Sequence, residues 1–256
     1  MVKGLYTAYT GMINEQHRMD VLTNNLANAS TVGFKKEGAT SQAFDEVLAL
    51  KIKDTTEHGM IKPLGGISMG VKIGENYTDY SQGSLRETGN TYDIALSGTG
   101  FFTVEFTNKT GQTSTKYTRD GGFTLNKEGY LVTKDGDYVL GTNGRIKLDP
   151  LQLTRIDKQG GIYQNESLVA TLEITDFEDY NYLEHYGENY YQTVEGATEK
   201  NGDFQTLSGY LEMSNMKVVS EMVEMISVSR AYETNQKIVQ TYDSTLEIAA
   251  NQIGKI

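Results

Sequence analysis

Apolar residues recur every seven positions near the C-terminal end of the chain. The series that starts at Val218, with a companion series three positions further on, has eleven members, of which Glu221 and Asn235 are polar. The other nine are Val218, Met225, Val228, Tyr232, Val239, Tyr242, Leu246, Ala249 and Ile253. Because a helix brings residues three, four and seven apart onto one face, the pattern predicts a helix from about 216 to 251. At 1.5 Å per residue it would be roughly 54 Å long, which indicates a coiled coil. Ser214 and Asn215 are its candidate N-caps, and Gly254 is its candidate stop.

The N-terminal end of the chain has the same seven-residue period. Leu5, Met12, Met19 and Leu26 are seven apart, and Ala8, Glu15 and Leu22 lie between them. This second predicted helix runs into a cluster of Asn, Ser and Thr, whose side chains bond to the backbone and turn the chain. The residues expected to fix the helix end are Asn24, Asn25, Asn28, Thr31 and Gly33.

The two stripes either pack together within a monomeric bundle or become ordered only when several copies of the chain assemble. A single narrow seam buries few side chains, whereas ordering a long helix costs backbone entropy at every residue. We therefore expect the two ends to be frayed or unfolded in the free chain and to become ordered on assembly.

The residues between the two ends predict an antiparallel β domain with glycine-rich turns. Of the 27 glycines, 16 lie from Gly59 to Gly144. Stretches 93–96 and 102–106 alternate apolar and polar side chains, and 168–174 is a third candidate strand. Turn sequences follow every 7–11 residues, the rhythm of short hairpins. The acidic, tyrosine-rich stretch 173–203 is expected to form a solvated edge, with an interaction loop as the alternative.

Composition and charge exclude several classes of function. The chain has 256 residues and a formal net charge of −11. It has no Cys, and this rules out disulfides, thiolate metal sites and a Cys nucleophile. The acidic balance argues against nucleic acid or an anionic membrane surface as a partner. No apolar run approaches the roughly 18 residues that span a bilayer, and the first residues are too polar for a signal peptide.

No motif in the chain indicates catalysis, a cofactor or a metal. The Gly-Thr-Gly sequence at 98–100 lacks the third glycine of a dinucleotide-binding loop and leads into a strand. The Asp-Gly-Asp sequence at 135–137 suits a hairpin turn better than a calcium loop, and the three His residues lack the spacing of a zinc site. A carboxylate pair for glycoside hydrolysis depends on a three-dimensional separation that sequence does not give. We therefore expect that the protein is not an enzyme and that it binds no cofactor.

Segments in all three parts of the chain resemble the signatures of one family. The stretch 24–35, Asn-Asn-Leu-Ala-Asn-Ala-Ser-Thr-Val-Gly-Phe-Lys, resembles the N-terminal signature of the bacterial flagellar rod and hook proteins. Segments within 82–102, 117–123 and 129–132 resemble the central signature, and segments within 209–233 resemble the C-terminal one. The matches run in order from end to end, so the chain resembles a flagellar basal-body rod subunit, of the distal or the proximal type.

The resemblance implies an α+β fold in which long N- and C-terminal helices form a coiled coil and a central all-β domain lies outside. It divides the chain into an axial helix with its signature at 1–36, a rod-specific linker at 37–80, the β domain at 81–208 and a C-terminal axial helix at 209–256. The expected assembly interface consists of Leu5, Met12, Met19, Leu22, Leu26, Val218, Met225, Val228, Tyr232, Val239, Tyr242 and Leu246.

The resemblance also implies partners and a location. The expected partners are copies of the chain in a helical polymer that transmits torque, other rod and hook proteins, and the flagellar type III export apparatus. The expected location is the basal body, outside the cytoplasm, reached without a cleaved signal peptide. A hook-type subunit is one alternative, although the chain length fits a rod protein better. A secreted carbohydrate-active enzyme or adhesin with helical tails is the other, and glycan binding or hydrolysis by the fragment 81–208 would reveal it.

Overall fold

The computed structural model of the chain describes residues 2–44, 46–50, 63–108, 111–187 and 189–252. The chain divides into a helical unit, Met1–Ala27 with Glu37–Asp79 and Lys217–Ile256, and a β unit, Asn28–Lys36 with Tyr80–Met216. A helix at each end and antiparallel strands between them confirm the predicted α+β class. Within the described ranges, no helix is both long enough and apolar enough to cross a membrane.

In the residues that the structure describes, the helical unit contains the two terminal helices and four strands. The elements are α1 (Val2–Ala27), β1 (Glu37–Ala43), β2 (Val47–Leu50), β3 (Pro63–Ile67), β4 (Val71–Thr78) and α2 (Val218–Gln252). β1 pairs antiparallel with β4, and β2 pairs antiparallel with β3. The C-terminal helix thus begins two residues later than predicted, and both Ile253 and the candidate stop Gly254 lie outside the described residues.

The residues predicted to cap α2 bond elsewhere. Asn215 Oδ1 accepts a hydrogen bond from the Lys36 N–H at 2.9 Å, and its side-chain nitrogen donates to the Ser81 carbonyl oxygen at 3.2 Å. Ser214 Oγ accepts from the Met216 N–H at 3.3 Å, upstream of the first helical residue. The N-cap prediction is therefore wrong, because the Asn215 side chain bonds to Lys36 and Ser81 of the β unit, and the Ser214 hydroxyl bonds locally before the helix begins.

The β unit is built from short antiparallel strands. They are β5 (Leu85–Glu87), β6 (Ile94–Gly98), β7 (Phe101–Thr107), β8 (Thr113–Thr118), β9 (Thr124–Leu125), β10 (Leu131–Val132), β11 (Tyr138–Gly141), β12 (Gly144–Arg145), β13 (Thr154–Ile156), β14 (Gly161–Gln164), β15 (Ser167–Thr171), β16 (Ile174–Phe177), β17 (Leu183–Tyr186), β18 (Tyr190–Thr193), β19 (Glu199–Lys200), β20 (Phe204–Ser208) and β21 (Tyr210–Glu212). The largest sheet has the order β17-β18-β8-β7-β11-β10-β9, with β12 beside β11 and β16 beside β7 and β19. The strands β13, β14 and β15 form a separate sheet, β20 pairs with β6, and β21 pairs with β5.

The glycine-rich turns and most predicted strands fall where the sequence places them. The hairpin of β7 and β8 closes with the Gly111 N–H donating to the Asn108 carbonyl at 2.8 Å, and Gly136 turns the chain with a φ of +95°. The strand predicted over 168–174 is in fact two, β15 and β16. The chain changes sheets between them, because the Leu172 and Glu173 N–H groups donate to carbonyls outside both strands.

Two apolar clusters form the core of the β unit. The larger contains Ile94, Leu96, Phe102, Val104, Phe123, Leu131, Val139, Ile146, Leu148, Ile162, Leu172 and Tyr190, and the smaller contains Phe101, Tyr117, Phe177, Leu183 and Tyr191. The acidic stretch 173–203 supplies residues to both clusters, since Tyr190 and Tyr191 are only 9% and 1% exposed. The expected solvated edge is therefore wrong for Tyr190 and Tyr191, which pack in the core, whereas β17 lies at the edge of the sheet and Tyr182 and Val194 are exposed.

Candidate assembly interface

The two terminal helices of the helical unit contact each other and run in opposite directions. A methyl group at Gly4 would collide with the ring of Tyr242, and one at Gly11 would lie 3.0 Å from the side-chain nitrogen of Asn235. Further along α1, Arg18 Nη2 lies 3.1 Å from Glu224 Oε1. Contacting positions thus rise along α1 as they fall along α2. Gly4 and Gly11 are seven apart, as are their partners, so the contact follows the period read from the sequence.

A single chain covers the centre of the predicted stripe and leaves its ends open. Leu22 and Val228 are 6% and 2% exposed, and the half-buried members are Leu5, Met12, Met19, Leu26, Met225, Tyr232, Val239 and Tyr242. Val218 and Leu246, near opposite ends of α2, are 37% and 45% exposed.

The helix α2 carries a second apolar face, which the sequence analysis missed. Val219, Met222, Val223 and Ile226 are spaced three, four and seven apart, and they are 76%, 47%, 63% and 54% exposed. At about 100° per residue this second face lies roughly 140° around the helix from the heptad stripe. Large apolar side chains grouped on a surface mark an interaction site. The spacing is readable in the sequence, but only the fold shows which of the two stripes stays uncovered.

The helix α1 also leaves apolar residues uncovered. Tyr6, Tyr9 and Ile13 recur at helical spacing and are 56%, 50% and 37% exposed. Both terminal helices therefore present apolar surface beyond the seam that they share.

The Asn-rich segment ends α1 and begins the strands that follow. α1 stops at Ala27, and the buried side chain of Asn25 binds the backbone of Glu37 twice. Asn25 Nδ2 donates to the Glu37 carbonyl at 2.7 Å, and Asn25 Oδ1 accepts from the Glu37 N–H at 3.0 Å. This pair ties the helix end to the first residue of β1. Asn24, by contrast, is exposed.

The rest of this signature lies in the β unit. The Thr31 N–H donates to the Asn28 carbonyl at 3.2 Å, and the Thr31 hydroxyl donates to Asn28 Oδ1 at 3.1 Å. Gly33 has a φ of +72°, in the left-handed region that favours glycine, and its N–H donates to the Glu212 carbonyl at 2.8 Å. The chain segment that follows α1 is thus bonded to the strand β21, which precedes α2 in sequence.

A buried ion cluster centred on Glu212 joins the same segments. Glu212 Oε1 accepts from Lys35 Nζ at 2.6 Å and from the Gly83 N–H at 2.9 Å, and Glu212 Oε2 accepts from Arg119 Nη1 at 3.2 Å. Lys35, Arg119 and Glu212 are 1%, 4% and 1% exposed. A buried charge without a partner is costly, so these three segments are stable in the core only when they meet.

The ion cluster joins the three parts of the chain that carry the family resemblance. Lys35 lies in the N-terminal signature, Arg119 in the central one and Glu212 in the C-terminal one. Sequence reasoning missed this cluster, and the available signal was the presence of charged residues inside signature stretches. The cluster explains in physical terms why distant signatures occur together in one chain.

Two tyrosines of the β unit have raised pKa values, and the cause is their packing. Burial raises the pKa of Tyr117 to about 12, with nearby Glu199 adding to the effect. Burial and a 2.7 Å hydrogen bond to Asp176 raise the pKa of Tyr180 to about 12. In the part of the chain that the structure describes, no group of three or more His, Cys, Asp or Glu side chains is arranged to hold a metal.

Long terminal helices with uncovered apolar faces, in a chain that also holds an antiparallel β unit, favour a structural protein that assembles through its helices. The chain belongs to the flagellar basal-body rod protein family. Three family profiles match it: "Flagella basal body rod protein" over residues 5–35, "Flagellar hook protein FlgE/F/G D1 domain" over 95–164, and "Flagellar basal body rod FlgEFG protein C-terminal" over 207–253.

Similar proteins match over essentially their whole length. The flagellar basal-body rod protein FlgG of Bacillus subtilis (strain 168) is 34% identical, with 98% of this chain and 99% of the relative covered. The flagellar hook-basal body complex protein FlhO of the same organism and the flagellar basal-body rod protein FlgF of Caulobacter vibrioides are each 32% identical, with 100% of both chains covered. These relatives confirm the resemblance, and the chain is a structural rod subunit. The enzyme and adhesin alternatives are not favoured.

Proposed function

We propose that this rod subunit polymerises with copies of itself into a helical tube, with α1 and α2 paired as a coiled coil. The observation that carries the proposal is the second apolar face of α2, formed by Val219, Met222, Val223 and Ile226, which the helical unit leaves exposed. Burying one such side chain contributes about 1.5–3 kcal/mol, so several neighbouring helices packed around each other supply a substantial driving force.

The antiparallel contact of the two helices supports the same proposal. Each subunit would bring one two-helix seam, centred on the buried Leu22 and Val228, and would use its outer apolar faces for the next subunit. A head-to-tail interface whose rotation does not close produces an open helical filament. Torque would then pass from subunit to subunit along packed helices.

The partners and location follow from the family. We propose that the subunit lies in the basal body, contacts other rod and hook proteins at the ends of its own segment, and leaves the cytoplasm through the flagellar type III export apparatus. The proposed domain organisation is an axial pair of helices, at 1–36 and 209–256, a linker at 37–80 and a β domain at 81–208.

A charge on the second apolar face tests polymerisation without touching the fold. Val223 is 63% exposed in the single chain, so Val223→Asp should leave thermal unfolding unchanged, while a charge buried between subunits should block assembly. Ser220→Asp adds the same charge in the same part of α2 at an exposed polar position and is the matched control. Basal bodies isolated from cells that produce each variant should contain the Ser220→Asp chain and lack the Val223→Asp chain. Normal rods built from Val223→Asp would contradict the proposal.

A charge in the seam between α1 and α2 tests the coiled coil. Met225→Asp or Val239→Asp places a carboxylate at a half-buried stripe position. We expect loss of helical circular dichroism and of assembly, while the near-ultraviolet signal of the β unit is retained. Unchanged helicity in both variants would rule out the seam.

A further inference from the structure

We propose that the solvent-facing side of the sheet β13-β14-β15 is a lateral contact site for a second copy of this chain. The inference rests on the proposed polymer, because the second copy is a neighbouring subunit in it. We call this surface the lateral face and define it by Leu151, Leu153, Arg155, Tyr163, Leu168 and Val169.

The two sides of this small sheet differ in burial. Ile162 in β14 is fully buried in the core, whereas its neighbour Tyr163 is on the opposite side and half-buried. Tyr163 pairs with Arg155 in β13 and with Leu168 in β15, so the three side chains form a row across the lateral face. The core side is thus covered within the β unit, and the lateral face is open.

Four apolar residues of the lateral face are exposed. Leu151 and Leu153 are 94% and 92% exposed, and Leu168 and Val169 are 57% and 42% exposed. An isolated exposed leucine is ordinary, but four exposed apolar residues in one small sheet and the loop that leads into it favour a binding surface.

The loop that presents the two leucines is held in place before any partner arrives. Asp149 Oδ1 accepts from the Leu151 N–H at 3.0 Å, and Asp149 Oδ2 accepts from Gln152 Nε2 at 3.0 Å. The Asp149 carbonyl accepts from Gln164 Nε2 at 3.0 Å, which fixes the loop to β14. A surface that is already ordered loses little entropy when a partner binds.

A cavity of about 600 Å³ opens beside these residues. Its lining consists of Leu153, Arg155, Asp157, Tyr163, Asn165 and Glu166. Asn165 and Glu166, with φ values of +50° and +64°, are the two loop residues of the hairpin between β14 and β15, where a positive φ at both positions is the usual turn geometry. This tight turn contributes two residues to the lining of the cavity.

The size and charge of the lateral face point to another subunit as its occupant. Its exposed apolar area is on the order of 500 Å², below the roughly 800 Å² per partner of a stable two-protein complex. A contact of that size is weak in free solution and becomes effective where a polymer holds many copies at high local concentration. The cavity carries both signs of charge, on Arg155, Asp157 and Glu166, which suits a second copy of similar mixed surface better than a ligand of one sign.

The absence of Cys from the chain allows a direct test. Leu153→Cys, in the full chain, provides a thiol on the lateral face, and Val194→Cys, at a 48% exposed apolar position outside it, is the matched control. Leu153→Cys should be protected from a soluble maleimide in basal bodies relative to the free chain by about tenfold. Val194→Cys should react alike in both. In a separate arm, a photoreactive benzophenone amino acid replaces Leu153 or Val194 during synthesis in the cell, and isolated basal bodies are irradiated. The photoproduct from position 153 should contain two copies of this chain.

The outcomes separate this inference from the proposed function. A fully reactive Leu153→Cys thiol in basal bodies, or a position-153 photoproduct that contains a different protein, would overturn the lateral contact and leave the polymer intact. A wild-type chain that never enters a polymer would overturn both. Failure of Leu153→Cys alone to enter basal bodies, with an unchanged thermal unfolding curve, would support the contact. Leu151→Ser combined with Leu153→Ser should raise the subunit concentration needed for assembly about tenfold or more without altering the fold, since both side chains are solvated in the free chain.

Discussion

Replacement of Glu212 by glutamine tests how the chain segments beside the two terminal helices are held together. The carboxylate accepts hydrogen bonds from Lys35, Arg119 and the Gly83 N–H in a site that solvent does not reach. Glu212→Gln keeps the shape of the side chain but removes its charge. The amide oxygen of the glutamine can still accept the hydrogen bonds of one of the two carboxylate oxygens. The NH₂ group takes the place of the other oxygen, where it points at a hydrogen-bond donor and cannot accept. Two buried cations lose the carboxylate that binds them.

The expected loss of stability is large. Breaking a buried ion pair by removing one partner costs about 3–5 kcal/mol, because the remaining charge stays buried. For a unit of this size that corresponds to a fall in Tm of about 6–20 °C. Lys35→Met should cost less, about 1–3 kcal/mol, because Glu212 keeps Arg119 and chiefly the Ser81 carbonyl loses a donor.

The exposed pair Glu105–Arg145 provides a matched control. Its two hydrogen bonds, at 2.7 and 2.8 Å, are as short as those of the buried cluster, but the Arg145 side chain is 43% exposed. Glu105→Gln should therefore cost less than about 1 kcal/mol. Urea unfolding is followed by tyrosine signals, which report mainly on the β unit because it holds 12 of the 17 Tyr and the chain has no Trp. Far-ultraviolet circular dichroism reports on the helices. Equal midpoints for Glu212→Gln and Glu105→Gln would refute the role given to the cluster.

Three further predictions follow from single contacts. In a helix without a partner, Gly4→Ala would add stability. Here it should lower the melting temperature of the helices, because the added methyl group meets the ring of Tyr242, and a second change, Tyr242→Leu, should restore it. A single variant that melts at a higher temperature would argue against the helix contact. Gly33→Ala should unfold at a lower urea concentration than Gly89→Ala. The two glycines have nearly the same φ, +72° and +73°, but only at Gly33 would an added methyl group collide with backbone atoms of the β unit. Equal unfolding midpoints would count against that packing. Burial raises the pKa of Tyr117 to about 12, so the folded chain keeps this proton to a higher pH than the unfolded chain does. The contribution to stability is full below about pH 10 and should decline as the pH rises towards 12. Tyr117→Phe should flatten this decline in urea titrations, and an unchanged slope would contradict the assignment.

The elements with strong local periodicity were predictable from the sequence. The rotation per residue of a helix is fixed by its backbone, so a seven-residue apolar repeat predicts both α1 and α2. The structure gives α2 within two residues of its predicted bounds, and α1 ends at Ala27, inside the cluster of Asn, Ser and Thr. The hairpin turns were predictable for the same reason, because Gly at a positive φ is a local requirement. The strand at 168–174 was not, since its division into β15 and β16 depends on bonds to carbonyls elsewhere in the β unit.

By itself, the sequence determined the order of the elements, the apolar stripe of each terminal helix and the family to which the chain belongs. The tertiary structure decided which stripe is covered and which apolar side chains stay in solvent, because covering depends on neighbours that no local pattern specifies. It also decided that Lys35 and Glu212, 177 positions apart, meet in the core. A charge enters the core only where a distant partner compensates it, and only the folded chain brings that partner into place.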